Sequence, residues 1–321
     1  MKSLTNLNSI PVLPYCAATT DDPEEILRFA VDSVESGLGT ALVTLVEIRG
    51  GSSRALGAQM AVCADGGYSG YVSGGCTEAA VAAESLEAIG KGVDRYLLLG
   101  EGSRFFDIVL PCGGGITVAI HVLKDATPVR EILFELRSRR RTALGYDPDR
   151  QSLTVMVPTI GTRWIGRLFM RDYRPKAKLL LCGRGIELDA ATRLATATAF
   201  EHLSFDGQST VKIDEFIDQD TAVALLFHDI DQEMPFLESA LAREPFYIGA
   251  LGSRRTHEKR YGVLRTLGYS QSELAQIKAP IGMFGPTRDA RTLALSVLAD
   301  VAAAYSAQSR ARPGINESVV M

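Results

Sequence analysis

The chain has 321 residues, enough for two domains with separate cores, and is 46% apolar and 22% charged with a formal charge of -4. That balance excludes a broad nucleic-acid surface, which needs a basic excess, and leaves no polybasic membrane anchor. The longest apolar runs, such as residues 41–46, are strand-sized, and the N-terminus has no apolar stretch of the kind a secretion signal carries, so the expected location is the cytoplasm.

Residues 1–20 read as an irregular lead-in. Asp21-Asp22-Pro23-Glu24 then opens a helix, with an acidic cap, an early proline and acids in the first turn. Ile26, Phe29, Ala30 and Val34 form its apolar stripe, and Gly37 and Gly39 end it. Residues 40–48 read as a buried strand; 58–63 and 70–73 are two more, split by an Asp65-Gly66-Gly67 turn. A helix over 77–89, stopped by Gly90, and strands at 96–99, 105–110 and 116–122 complete a first unit, residues 1–125. Residues 126–175 are expected to connect, with a basic helix at 129–140, short strands at 152–157 and 163–170, and a boundary at Tyr173-Arg174-Pro175.

From 176 to 321 strands and helices alternate. Strands are expected at 178–182, 202–205, 221–227 and 246–251, and helices at 187–199, 232–243, 254–267 and 288–304. This spacing means a parallel sheet with helices on both faces. The expected fold class is α/β: an N-terminal α/β domain with glycine–cysteine loops, and a C-terminal Rossmann-like, doubly wound parallel sheet.

The five cysteines, Cys16, Cys63, Cys76, Cys112 and Cys182, are sparse and show no CxxC spacing, which fits neither a disulfide framework nor a zinc ribbon. Two of them sit in glycine loops. In Ser73-Gly74-Gly75-Cys76-Thr77-Glu78 the thiol falls where a helix begins, beside free backbone amides. It can ligate a soft metal or carry sulfur there; the plainer reading is a small buried residue. In Pro111-Cys112-Gly113-Gly114-Gly115 the surroundings are not those of a packed side chain, and the glycines mark a sharp turn or close backbone approach. A third loop, residues 49–58, carries Gly50, Gly51, Arg54 and Gly57. Its amides and Arg54 suit an anion; the plainer reading is a flexible hairpin loop with a solvated arginine.

In the C-terminal half, Cys182-Gly183-Arg184-Gly185-Ile186-Glu187-Leu188 lies between a strand and a helix, where a dinucleotide fingerprint belongs, with Asp206 placed to meet a ribose. Leu188 replaces the third glycine, and Glu187 sits where a pyrophosphate wants positive potential. Cys182 ends an apolar strand and reads as core. His228-Asp229, the run from Gly249 to Arg255 and Pro280-Ile281-Gly282 would lie near the carboxyl ends of the strands. There Ser253 can cap a helix and, with Arg254 and Arg255, hold an anion; the plainer reading is an ordinary cap with exposed arginines. His121, His202 and His257 show no partner in the sequence and read as structural.

In this order the motifs resemble the XdhC/CoxI family of xanthine dehydrogenase accessory factors over most of the chain. Gly50, Arg54, Gly57, Ala58 and Met60 match a loop of that family, from which Gly51, Ser52, Ser53 and Leu56 depart. Residues 73–78 match its Ser-Gly-Gly-Cys-x-Glu element and residues 110–114 its Leu-Pro-Cys-Gly-Gly element. His228-Asp229, residues 249–255 and 280–282 have counterparts, and Leu188 departs. The resemblance implies a maturation chaperone rather than an enzyme. Such a protein binds the molybdenum cofactor, as molybdopterin or its cytosine dinucleotide form, and protects it during exchange of an oxo for a sulfido ligand. It then delivers the cofactor to an apo-molybdenum hydroxylase. Implied partners are that apo-enzyme, a cysteine desulfurase and a second copy in a homodimer. The implied site has Cys76 and Cys112 at the molybdenum. Gly74, Gly75, Gly113, Gly114, Arg54 and Gly57, with Ser253 and Arg254, hold the rest of the cofactor. The competing readings are an NAD(P)-dependent oxidoreductase built on the C-terminal half, a ligand-free interaction scaffold, and a zinc protein using Cys76 and Cys112 with histidines.

Overall fold

A computed structural model describes residues 12–101, 113–158, 161–198, 200–207 and 212–310. The chain divides into two compact units, residues 1–173 and 174–321.

Unit 1 begins with β1 (Tyr15–Ala18), α1 (Pro23–Glu35), β2 (Thr40–Arg49), β3 (Gln59–Cys63), β4 (Gly67–Gly70), α2 (Glu78–Lys91), β5 (Arg95–Gly100) and β6 (Gly115–Val122). It continues with α3 (Thr127–Arg137), β7 (Thr142–Asp147), β8 (Ser152–Met156), β9 (Arg163–Ile165) and β10 (Leu168–Tyr173). The first sheet runs β1-β4-β3-β2-β6-β5, antiparallel except for the β1–β4 pair. The second, β8-β7-β10-β9, is wholly antiparallel. Alternation along β2 sends Ala41, Val43 and Leu45 to a core shared with Val81, Ala82 and Ala88 of α2, and Leu42 to the opposite core under α1 and α3. A β-bulge between Leu45 and Glu47 shifts the register against β6 and sets Glu47 opposite Thr117.

Residues 126–175, expected to connect, contain α3 and the second sheet, which ends at Tyr173. Val129, Ile132, Leu133 and Leu136 of α3 share a core with Ile26, Leu27 and Ala30 of α1, joined by Leu144 and Tyr173. Helix α1 starts as expected, with the Asp22 carboxylate accepting from the Glu24 N–H. Other boundaries move for local reasons. The strand after the Asp65 turn ends at Gly70, whose φ of +99° and 2.5 Å approach to the Gln59 carbonyl oxygen at a notional Cβ admit only glycine. Helix α2 runs through Gly90 and stops at Gly92 in the left-handed conformation. The single strand expected at 163–170 is two strands, β9 and β10. The strand expected at 105–110 lies outside the described residues.

Unit 2 comprises β11 (Lys178–Gly183), α4 (Gly185–Thr196), β12 (Glu201–Phe205), β13 (Thr221–Leu226), α5 (Ile230–Arg243), β14 (Tyr247–Ala250), α6 (Arg254–Thr266), α7 (Gln271–Leu274), β15 (Ile277–Lys278) and α8 (Ala290–Arg310). Its five strands are all parallel in the order β12-β11-β13-β14-β15. Both faces of β11 are covered. Leu179 and Leu181 pack in a core with Ala191 of α4 and Val297 of α8, while Leu180 and Cys182 pack in another with Leu237 of α5 and Leu264 of α6. Cys182 is thus a core residue, and burial pushes its thiol well above the usual cysteine range. Strand order reverses between β11 and β13, so the crevice beyond their carboxyl ends is where such a sheet takes a ligand.

Candidate functional site

Unit 1 brings together the glycine loops that the sequence keeps apart. At the close of β2, Arg49 donates to the Glu101 carbonyl, to Thr117 Oγ1 and to the Glu47 carboxylate, which fixes the start of the 49–54 loop. Gly114, leading into β6, lies against that loop: a Cβ there would stand 2.3 Å from the Gly51 carbonyl oxygen and 2.5 Å from that of Arg49. The Arg54 Nε–H donates to the Ser73 carbonyl at 3.2 Å, and a Cβ on Gly74 would meet Ser53 Oγ at 3.4 Å. Loops 49–54 and 113–115 therefore touch through backbone that only glycine permits, and loop 73–78 meets loop 49–54 through the Arg54 and Ser53 side chains.

The 73–78 loop is held from within by Glu78, the first residue of α2. Its carboxylate is 1% exposed and accepts from the backbone N–H of Val72, Ser73 and Thr77 and from the Ser73 hydroxyl. A buried carboxylate with four donors is a satisfied group, and here it turns the chain outward at Gly74, Gly75 and Cys76, all exposed. Cys76 carries a free thiol 3.7 Å from Ser73 Oγ. Gly75 has φ +100° and Gly113 φ +69°, and a Cβ on either would meet nothing within 4 Å. Cys112 lies outside the described residues.

Arg54 also reaches Asp21, whose carboxylate accepts from Nη1 at 2.8 Å. Gly57, with φ +84°, makes room for an arginine from the second sheet: its Cβ would meet Arg171 Cδ at 2.6 Å. Sequence reasoning did not single out Glu78 or Arg171. The signal available for Glu78 was an acid at the first helical position after Ser-Gly-Gly. For Arg171 it was one charge in the run Leu168-Phe169-Met170.

His121, without a visible partner in the sequence, has one in Asp94. Its Nδ1 lies 2.6 Å from Asp94 Oδ2, which also accepts from the Tyr146 hydroxyl at 2.9 Å. Burial works against the Asp94 charge, but the bonds from His121, the Val122 N–H and Tyr146, with the His121 charge, hold its carboxyl below the usual range. Among the described residues no group of three or more His, Cys, Asp or Glu side chains is placed to hold a metal ion.

In unit 2 the residues that the sequence named follow the carboxyl ends of the strands. Gly185 has φ +73° at the start of α4, and the Arg184 Nε–H donates to the Asp206 carbonyl at 2.7 Å. Glu187 Oε1 pairs with His228 Nε2 at 3.4 Å, across the β11–β13 switch. Leu188 is buried in the core under α4, so the third glycine of a dinucleotide fingerprint is replaced by a packing residue. Ser253 caps α6 by accepting from the Thr256 N–H, with Arg254 and Arg255 exposed beside it. Behind them Arg260 of α6 forms a fully buried pair with Glu233 of α5 and donates to the Leu251 carbonyl at 2.8 Å. No helix among the described residues is long and apolar enough to cross a membrane.

Fold and site together define a class: a mostly antiparallel α/β unit carrying a glycine-framed exposed thiol, followed by a parallel Rossmann sheet. Two family models match, one described as the XdhC and CoxI family over residues 33–99, the other as the XdhC Rossmann domain over residues 179–301. The molybdenum cofactor insertion chaperone PaoD of Escherichia coli (strain K12) is 51% identical over 289 residues, covering 90% of this chain and 91% of its own. A crystal structure described as a xanthine dehydrogenase from Bacillus halodurans has the same fold, with a TM-score of 0.67 over 89% of this chain and 96% of its own at 17% identity. The chain belongs to the XdhC and CoxI family.

Proposed function

We propose that this protein is a molybdenum cofactor insertion chaperone. It takes up the cofactor, as molybdopterin or its cytosine dinucleotide form, and shields it while a cysteine desulfurase supplies sulfur. It then delivers the cofactor to an apo-molybdenum hydroxylase of the xanthine dehydrogenase family, acting in the cytoplasm as a homodimer. The observation that carries the reading is the close approach of loops 49–54 and 113–115, with the 73–78 loop, which exposes Cys76, tied to the first of them by Arg54. The name of the 51% identical relative supports the same cargo.

The residues fit that cargo. The Cys76 thiol, with that of Cys112 in the Leu-Pro-Cys-Gly-Gly element, suits the soft molybdenum end. Open space over Gly75 and Gly113 admits a flat ring system, and Arg54 with the loop amides suits an anionic group. The cofactor supplies the molybdenum centre and its redox chemistry; the protein holds, orients and covers it. Within unit 2, Ser253 and Arg254 are assigned to an anionic ligand at the helix start that Ser253 caps.

Anaerobic mixing with the cofactor, gel filtration, and assay of the protein peak for molybdenum and fluorescent oxidised pterin test the reading. Near-stoichiometric pterin is expected with the wild type, and a marked fall in Cys76→Ala and Cys112→Ala. A protein peak without pterin overturns it.

A further inference from the structure

Behind the 73–78 loop, unit 1 contains a compact cavity of about 50 Å³, space for several waters and the scale of an oxyanion rather than a ring. Asp21, Arg54, Gln59, Tyr71 and Arg171 line it. We infer that Arg54 and Arg171 form a two-arginine oxyanion pocket that takes the phosphate of the pterin cargo; the cargo rests on the reading above.

Arg171 reaches the cavity from β10 on the second sheet, and Arg54 from the loop on the first. The two guanidinium groups are therefore set by independent elements. Like charges facing one small space repel unless an anion lies between them. Arg54 is partly neutralised by Asp21, whose side chain is 71% exposed, but it keeps its Nε bond to Ser73. Arg171 is the less satisfied of the two. It lies over the Tyr173 ring at 4.7 Å and gives one N–H to the Asp172 carbonyl, while its Nε is buried without a hydrogen-bond partner. Gln59 does not supply the missing acceptor. Its Oε1 takes the Tyr173 hydroxyl at 2.6 Å and its Nε2 donates to Thr44 at 3.2 Å. Pro23, Ile26 and Ala58 complete the lining, and buried N–H groups are almost always paired, so an unmet N–H on an arginine that lines the cavity is a donor left for an acceptor. Gly57 makes room for the Arg171 side chain, because a side chain at Gly57 would strike its stem. Arg54 joins pocket to loop: the group that faces the oxyanion also holds Ser73, three residues before Cys76.

The test uses the full chain as wild type, Arg171→Met, Arg171→Lys and Asp21→Asn. Inorganic phosphate is titrated against each at constant ionic strength, followed by 31P line width, and pterin retention is measured in parallel. Loss of a charged hydrogen-bond donor predicts phosphate binding weakened about tenfold or more in Arg171→Met, with partial recovery in Arg171→Lys. Asp21→Asn frees Arg54 and tightens binding. Pterin retention falls with Arg171→Met only while the cofactor carries its phosphate; after phosphatase treatment wild type and variant retain it equally. Absence of saturable phosphate binding, or equal binding by Arg171→Met, overturns the pocket. If Arg171→Met does not fold, an unchanged affinity in Asp21→Asn overturns it instead. Arg171-dependent phosphate binding without any pterin retention keeps the pocket and sinks the chaperone reading. Normal retention in Arg171→Met beside loss in Cys76→Ala does the reverse.

Discussion

Asp94 shows how much one buried side chain can carry in unit 1. Its two oxygens take the Val122 N–H, His121 and the Tyr146 hydroxyl, so it links β5 and β6 of the first sheet to β7 of the second. With its carboxyl held below the usual range, the folded state binds that proton less readily than the unfolded chain does. The resulting stability is fully present above the unfolded value of about 3.9 and is lost as pH falls through the lower folded value. Asp94→Asn should therefore unfold at lower urea than wild type at neutral pH, and the gap should close as pH is taken below about 4. A gap independent of pH would remove the carboxylate's charge from the account.

At the scale of elements, the site depends on how closely loops 49–54 and 113–115 approach. Gly114→Ala places a methyl where the Gly51 and Arg49 carbonyl oxygens stand and forces the loops apart. Overpacking of this kind costs about 1–3 kcal/mol. Both the urea midpoint and pterin retention should fall; a variant unchanged in both would show that the contact is dispensable. Much of this was legible in the sequence. Gly-Gly-Cys and Cys-Gly-Gly announce sharp turns or close backbone approach, and the unbroken apolar run of β11 announces a strand covered on both faces. The acid at Glu78 was visible in its motif, but its work is done by backbone amides that no pattern shows. Arg171 and the partner of His121 were not legible, because sheet pairing brings them from far along the chain. Tyr173, for example, meets Gln59 across 114 positions. The second sheet itself was partly missed, since β7 carries no alternation: five of its six residues are buried.

For the molecule as a whole, the two units are separately built. Unit 1 packs both its sheets and α3 into one body, and Arg174 opens unit 2 by pairing with Asp220 and stacking on the Tyr305 ring at 3.6 Å. The predicted site residues divide accordingly, with the thiol loops and both arginines of the proposed pocket in unit 1, and Ser253 and Arg254 in unit 2. The XdhC and CoxI match covers Arg54, Gly57 and Cys76, whereas Arg171 lies beyond both matched stretches.

The same division gives each unit its own clock. Cys63, 3% exposed and bonded to Ser33 at 3.0 Å, is enclosed in unit 1, and Cys182 is enclosed in unit 2, while Cys16 and Cys76 are exposed. Under brief pulses of an alkylating reagent, read by peptide mass, Cys16 and Cys76 should label at once. Cys63 and Cys182 should label only as fast as their surroundings open, each at its own rate. Cofactor binding at the unit 1 loops would then slow Cys76 by covering it and Cys63 by stabilising the body around it, while leaving Cys182 to keep its own time. Identical slowing of Cys63 and Cys182 would show instead that the two units open as one.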